Sequence, residues 1–224
     1  MRLSALLAAS AALAFACAGP VAAQERWTGW QLDGFVGSAT ETASSDDPYL
    51  LDIEPNGTTY GIGGSYRFPL AGDLIAGVEA SATFGTVEDT DTEVTCTVDD
   101  CGFNETGTFT TGSSYSGRFG ATLGHEFGPV LVSGLAGIEI RERTMHTEYD
   151  ADNGFDDYAY DQSWSAVGPY YGVRAEYAIT DRVVLGAQWS RSEVVQSTIQ
   201  FDDGDTYEDS AEFEEFQVRV GWRF

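Results

Sequence analysis

The sequence predicts an all-β protein: eight antiparallel strands in up-and-down order, closed into a barrel that crosses a membrane. Three observations predict it. Period-two alternation of apolar and polar residues recurs in eight segments of roughly ten residues, the length a tilted strand needs to span a bilayer. The connections between segments alternate between short and long. Within the segments, the face opposite the apolar one carries charges of both signs together with many glycines.

The chain opens with a leader. Arg2 supplies a positive start, an alanine-rich apolar run extends from Ala5 to Ala18, and Pro20-Val21-Ala22-Ala23 reads as a cleavage site after Ala23. Residues 1–23 are therefore expected to be a removed signal peptide, and residues 24–224 the barrel. Cys17 raises a rival reading, lipid attachment. The preceding Ala14-Phe15-Ala16 fits that signal poorly, so Cys17 is assigned to the leader.

In the first strand Trp30, Leu32, Gly34 and Val36 alternate with Gln31, Asp33, Phe35 and Gly37. A long connection, about 39–58, leads to Tyr60, Ile62, Gly64 and Tyr66 against Thr59, Gly61, Gly63, Ser65 and Arg67. The tight segment Pro69 to Asp73 precedes the third strand, with Leu74, Ala76, Val78, Ala80, Ala82 and Phe84 against Ile75, Gly77, Glu79, Ser81 and Thr83. After a long connection, about 86–113, Tyr115, Gly117, Phe119, Ala121 and Leu123 oppose Arg118, Gly120 and Thr122.

The second half repeats the pattern. The turn His125 to Pro129 leads to Val130, Val132, Gly134, Ala136, Ile138 and Ile140 against Leu131, Ser133, Leu135, Gly137, Glu139 and Arg141. A third long connection, about 143–163, precedes Tyr171, Val173, Ala175 and Tyr177 against Tyr170, Gly172, Arg174 and Glu176. The turn Ile179 to Arg182 opens Val183, Leu185, Ala187 and Trp189 against Val184, Gly186, Gln188 and Ser190. The last long connection, about 193–213, ends in Phe216, Val218, Val220, Trp222 and Phe224 against Gln217, Arg219, Gly221 and Arg223.

Charge follows the same division. The formal net charge is −25; the chain has no lysine, and its 11 basic residues are all arginine. Most of the 36 acidic residues fall in the long connections, whose central parts contain no arginine. Stretches such as Asp202-Asp203-Gly204-Asp205 and Glu212, Glu214 and Glu215 are expected on a solvated surface. A nucleic-acid partner, which wants a basic face, is excluded. No mature stretch reaches 18 consecutive apolar residues, so membrane passage requires a closed barrel.

A soluble barrel would turn its apolar face inward. Here the charged face must fill the interior, which eight strands leave just wide enough for side chains. Glu79, Arg118, Glu139, Arg174, Glu176 and Arg219 are expected to converge there as a network of ion pairs, held by bidentate arginine–carboxylate contacts. On the apolar face, aromatic residues near strand ends fit two girdles at the membrane–water interfaces.

Several segments resemble the small porin-family or OmpA/OmpX-like barrel domains of Gram-negative outer membranes, and the resemblance spans nearly the whole mature chain. Trp27-Thr28-Gly29-Trp30 is similar to that family's opening. Leu74 to Ala80 and Gly117-Arg118-Phe119-Gly120 resemble its strands. Tyr171 to Asp181 resembles a strand followed by an Ile-Thr-Asp turn. Val218 to Phe224 resembles the terminal strand read by the barrel-assembly machinery, and this resemblance makes Phe224 an assembly signal. Gln188 departs from the family, which often has Glu there, and leaves open how Arg174 or Arg219 is paired. The resemblance implies outer-membrane lipid and lipopolysaccharide as surroundings and a monomer as the state.

Dedicated chemistry is weakly signalled. The two histidines are His125, in a short turn, and His146, beside Thr144 and Glu148; neither makes a nucleophile–base–acid set. No catalytic residue and no cofactor is expected. Asp150 to Asp157, and the set Glu88, Asp89, Asp91 and Glu93, could attract divalent cations, but they lack the spacing of a calcium loop and read better as solvated surface. No metal site is assigned. Three functions compete: a surface barrel with a filled lumen and acidic loops that make contacts, a small-solute channel, and a lipid-modifying enzyme. The first leads because the inferred lumen is crowded with opposite charges.

Cys96 and Cys101, a close pair in an exported polar stretch, are expected to form a local disulfide. Unreduced protein taken from the membrane should contain no free thiol. Reduction should leave barrel stability nearly unchanged, because the enclosed loop is short. Free thiols in the unreduced sample would contradict the pairing.

Overall fold

The computed structural model describes residues 26–45, 54–70, 72–96, 105–151, 158–200 and 206–224. The eight strands are β1 (Gly29–Ser45), β2 (Asn56–Pro69), β3 (Leu74–Cys96), β4 (Glu105–Phe127), β5 (Val130–Ala151), β6 (Tyr158–Ala178), β7 (Val183–Gln200) and β8 (Thr206–Arg223). Each pairs antiparallel with its neighbours in chain order. β1 also pairs with β8, from Gln31↔Arg223 to Ser45↔Asp209, which closes the barrel. The leader, Cys101 and Asp152–Asp157 lie outside the described residues.

The three tight turns lie where the sequence puts them. β4 passes to β5 through Gly128 and Pro129 alone, and Gly128 sits at φ +64°, a conformation that suits a residue without a Cβ. Side-chain direction follows the alternation along the strands, with a phase shift at the bulge in β4, where Ser114 and Tyr115 both face out. Val36, Ile62, Phe119, Val173 and Val220 point outward and are each more than half exposed, as lipid contact requires. Trp30–Tyr66 mark the turn side of this band, with ring centroids 5.1 Å apart; Tyr60–Phe84 and Tyr171–Trp189 mark the loop side at 6.1 and 6.5 Å.

The strands are longer than the sequence suggested. β3, β4, β5 and β6 have 23, 23, 22 and 21 residues. Much of the second and third expected loops is therefore ladder: Thr90↔Thr110, Thr92↔Thr108, His146↔Asp161. An apolar-alternation search misses these stretches because both of their faces are polar. They are strands all the same: threonine favours the extended backbone, and Thr90–Thr110 hydroxyls meet across the pair at 2.9 Å. At about 3.3 Å per residue and a tilt of about 40°, the part of β4 beyond Tyr115 rises on the order of 25 Å past the outer girdle. β2 is the shortest strand, with 14 residues, and leaves the rim uneven.

Two apolar clusters bracket the interior. On the turn side, Trp27 packs with Ile75, Leu131 and Val184, and its indole N–H donates to the Gly128 carbonyl at 3.2 Å. On the loop side, Phe213 packs with Ala166, Ala211 and Trp164. Between them Tyr170 lies over glycines. A Cβ at Gly120 would fall 2.4 Å from its hydroxyl, and one at Gly137 2.7 Å from its ring. Gly120→Ala should therefore destabilise the barrel by about 1–3 kcal/mol through overpacking. Gly34→Ala, which meets nothing within 4 Å, should not. Urea midpoints in detergent compare the two; equal midpoints would show that Tyr170 yields without cost.

Candidate functional site

The charged side chains of the lumen are arranged in levels from the turn side to the loop side. At the turn side the Arg223 guanidinium lies over the Trp27 ring, 5.1 Å from its centroid, and donates to the carbonyls of Thr180 at 3.2 Å and Asp181 at 2.8 Å. Next, Arg67 Nη2 contacts both oxygens of Glu176 at 2.9 and 2.8 Å. Gln31 donates from one amide nitrogen to Glu176 at 3.0 Å and to Asp33 at 2.7 Å, joining this level to the one above.

At mid-barrel Arg174 contacts Glu79 at 2.8 Å, and Tyr170 donates its hydroxyl to the same carboxylate at 3.3 Å. Arg219 stands 3.6 Å from Asp33, donates to Gln217 at 2.8 Å and lies over the Phe35 ring at 4.6 Å. Gln188 links the two arginines. Its amide oxygen accepts from Arg174 at 2.8 and 2.6 Å and from Arg219 at 3.3 Å. That answers the pairing question raised by Gln188: a neutral oxygen stands between two guanidiniums.

Toward the loops, Arg118 bridges two carboxylates, Glu139 at 3.0 Å and Glu215 at 2.8 Å. Glu139 also takes Arg141 at 2.6 Å, and Glu215 accepts the Thr59 hydroxyl at 2.6 Å. Arg141 lies over Phe213 at 4.0 Å. The last level is Arg143 with Glu41, beside Trp164. Apart from Glu79, a little more open, every charged group from Arg67 to this last pair is buried.

Of the six residues expected in the lumen, Arg118 meets Glu139 and Arg174 meets Glu79. Glu176 takes Arg67 instead, and Arg219 faces Asp33 and two glutamines. Sequence reasoning missed Glu41, Arg143 and Glu215, which it assigned to loops or solvated surface. Glu215 is 1% exposed because β8 starts at Thr206 and holds the alternation through it, so Glu214 faces out and Glu215 in. A signal existed: Glu41, Arg143 and Glu215 continue the inward parity of Asp33, Arg141 and Gln217.

The other candidate residues lie elsewhere. His146 is in β5, not in a loop, and faces outward; its Nδ1 meets Asp161 Oδ1 at 2.7 Å on an exposed wall. His125, near the β4–β5 turn, stacks on Phe127 at 4.5 Å. Among the described residues, no group of three or more His, Cys, Asp and Glu side chains is placed to hold a metal ion. Cys96 ends β3, and Phe224 follows β8, with its amide donating to the Trp30 carbonyl at 3.0 Å.

Comparison with known proteins follows the same lines. No curated protein matches the chain. Among solved structures it is similar to Ail, the attachment invasion locus protein of Yersinia pestis, in complex with the heparin analogue sucrose octasulfate; identity is 17% over 88% of this chain and 100% of that one, with TM-score 0.41. It is similar to the outer membrane protein OprG from Pseudomonas aeruginosa at 11% identity over 88% and 97%, with TM-score 0.46. It is also similar to the outer membrane protease OmpT from Escherichia coli at 6% identity over 87% and 96%, with TM-score 0.45. The family described as outer membrane protein beta-barrel domain matches residues 8–224. The chain belongs to that family, and its barrel spans the outer membrane.

Proposed function

We propose that the protein is a surface barrel whose lumen is closed by its own ion pairs and whose acidic extracellular part makes its functional contacts. The observation that carries this reading is the unbroken column of paired charges from Arg67–Glu176 to Arg143–Glu41, with Trp27 below and Phe213 beside its upper end. Asp33, Glu41, Glu79, Glu139, Glu176 and Glu215 are matched by Arg67, Arg118, Arg141, Arg143, Arg174 and Arg219, so the column above Arg223 is neutral. A passing ion would have to separate these pairs. Breaking one buried pair costs about 3–5 kcal/mol, and several lie in series.

The surroundings follow from the location. Outer-membrane lipid and lipopolysaccharide face the apolar band and the polar wall above it. Delivery by the barrel-assembly machinery through Phe224, a monomeric state, and divalent cations at the acidic loops belong to the same proposal.

Purified protein in a planar bilayer should carry no steady open-pore current. Arg118→Ala should lower the urea midpoint by the equivalent of about 3–5 kcal/mol, because it leaves Glu215 with no charged partner. Gln188→Glu should raise it by about 1 kcal/mol, since it gives Arg174 and Arg219 a shared carboxylate in place of an amide oxygen. If the parent conducts steadily and Arg118→Ala unfolds with it, the solute-channel reading replaces this one.

A further inference from the structure

Among the described residues, the turn end of the lumen carries one positive charge more than its carboxylates match. Two buried guanidiniums lie there, Arg67 and Arg223, 3% and 5% exposed. One buried carboxylate lies with them, Glu176, and Arg67 takes both of its oxygens through Nη2. Asp33, joined to this level through Gln31, faces Arg219 on the level above. Arg223 has no carboxylate of its own: its Nη2 is spent on the carbonyls of Thr180 and Asp181, and its guanidinium lies over the Trp27 ring.

Three guanidinium nitrogens at this level have no acceptor. They are Arg67 Nη1 and Arg223 Nε and Nη1, and all three are enclosed. A guanidinium only donates, so no rearrangement between the two arginines can satisfy them. Buried donors left so are a cost that native structures rarely carry. Of the charged groups that act on Arg223, Arg67 acts most strongly and Arg26 next, both of like sign. The carboxylates that act on it are Asp181, exposed on the turn, and Glu176, already held by Arg67 and Gln31.

The missing partner has a definite chemistry. Water could accept from these nitrogens, but it would leave the surplus charge in place. An anion accepts the donors and cancels the charge together, and charge-assisted bonds to guanidiniums are the stronger kind. The surplus is one, so a monovalent anion suffices. The donors are enclosed, so the anion is small. This end of the barrel faces the periplasm, an aqueous compartment from which a small ion can enter.

We propose that Arg67 and Arg223 form a binding site for one small monovalent anion, of the size of chloride, at the periplasmic end of the lumen. The bound ion completes the charge balance of the interior. It also ties β2 to β8, which flank β1 and do not pair with each other. Barrel stability then depends on the anion supplied, since a ligand that binds only the folded state stabilises it. The site does not rest on the proposed surface role: a conducting lumen would overturn that role and leave the site in place. The rival occupant from the chain itself is the carboxylate of Glu25, two residues ahead of Trp27 in sequence.

The test uses the full mature chain folded in detergent. Urea midpoints are measured as sodium chloride replaces sodium gluconate at constant ionic strength; gluconate has the same charge on a body too large for an enclosed site. The midpoint should rise with chloride, and at a hundred times the dissociation constant the folding equilibrium should gain about a hundredfold. Arg223→Gln should lose the dependence on chloride. Arg191→Gln, on the outer wall, should keep it. Crystals of the parent grown in bromide give a second readout that needs no substitution: anomalous scattering should place one bromide against Arg67 and Arg223. Bromide found on exposed arginines such as Arg26 and Arg182 and not at this level, an adventitious ion only, would overturn the site. So would a parent midpoint indifferent to chloride, or an undiminished response in folded Arg223→Gln. A response that appears only after Glu25→Gln would assign the place to the Glu25 carboxylate and overturn the free ion.

Discussion

The ladder between β1 and β8 is the constraint on which the rest depends. In hydrocarbon no water is available to bond an exposed amide or carbonyl, and each orphan costs several kcal/mol. Registering Gln31 with Arg223 and continuing to Ser45 with Asp209 removes both edges of the sheet at once. Closure then sorts the side chains. One parity of every strand faces lipid, the other faces a narrow interior, and a one-residue slip would exchange them.

That sorting explains why the interior is polar. The apolar residues are needed outside, so the inward positions carry guanidiniums, carboxylates, amides and hydroxyls. Isolated buried charges are costly; pairing in levels balances the column, and Arg223 at the turn end is held by carbonyls and the Trp27 ring instead. Aromatic rings carry part of the arrangement. Phe35, Phe213, Tyr170 and Trp27 lie under Arg219, Arg141, Arg118 and Arg223, covering flat guanidinium faces that hydrogen bonds do not use. Gly120 and Gly137 make the floor on which Tyr170 rests. The same packing that stabilises the barrel leaves little room for a solute, and this links stability to the proposed closed lumen.

Outside the membrane the constraint relaxes. Water can bond an open edge there, and among the described residues β3 runs past the end of β2 without a partner on that side. The carboxylates of Asp89 and Asp91 turn back onto the edge that results. A barrel wall by itself hosts many roles. Among the described residues the part above the outer girdle is a polar sheet built by β3 to β6.

The amino-acid sequence by itself determined the strand number, the inside and outside of each strand, the three tight turns and the membrane setting. Each is a local property, readable from parity, spacing and turn residues. It also placed Glu79, Arg118, Glu139, Arg174, Glu176 and Arg219 on one face. Only the tertiary structure decided partners: that Glu176 takes Arg67, that Arg118 spans Glu139 and Glu215, and that Gln188 serves two arginines. These depend on strand stagger around a closed circle, which brings residues as distant in sequence as Arg67 and Glu176 to one level and has no trace in local alternation. The length of β3 to β6 was likewise decided in three dimensions. Polar strands carry no apolar period, and their ladders form because the barrel below holds adjacent chains side by side.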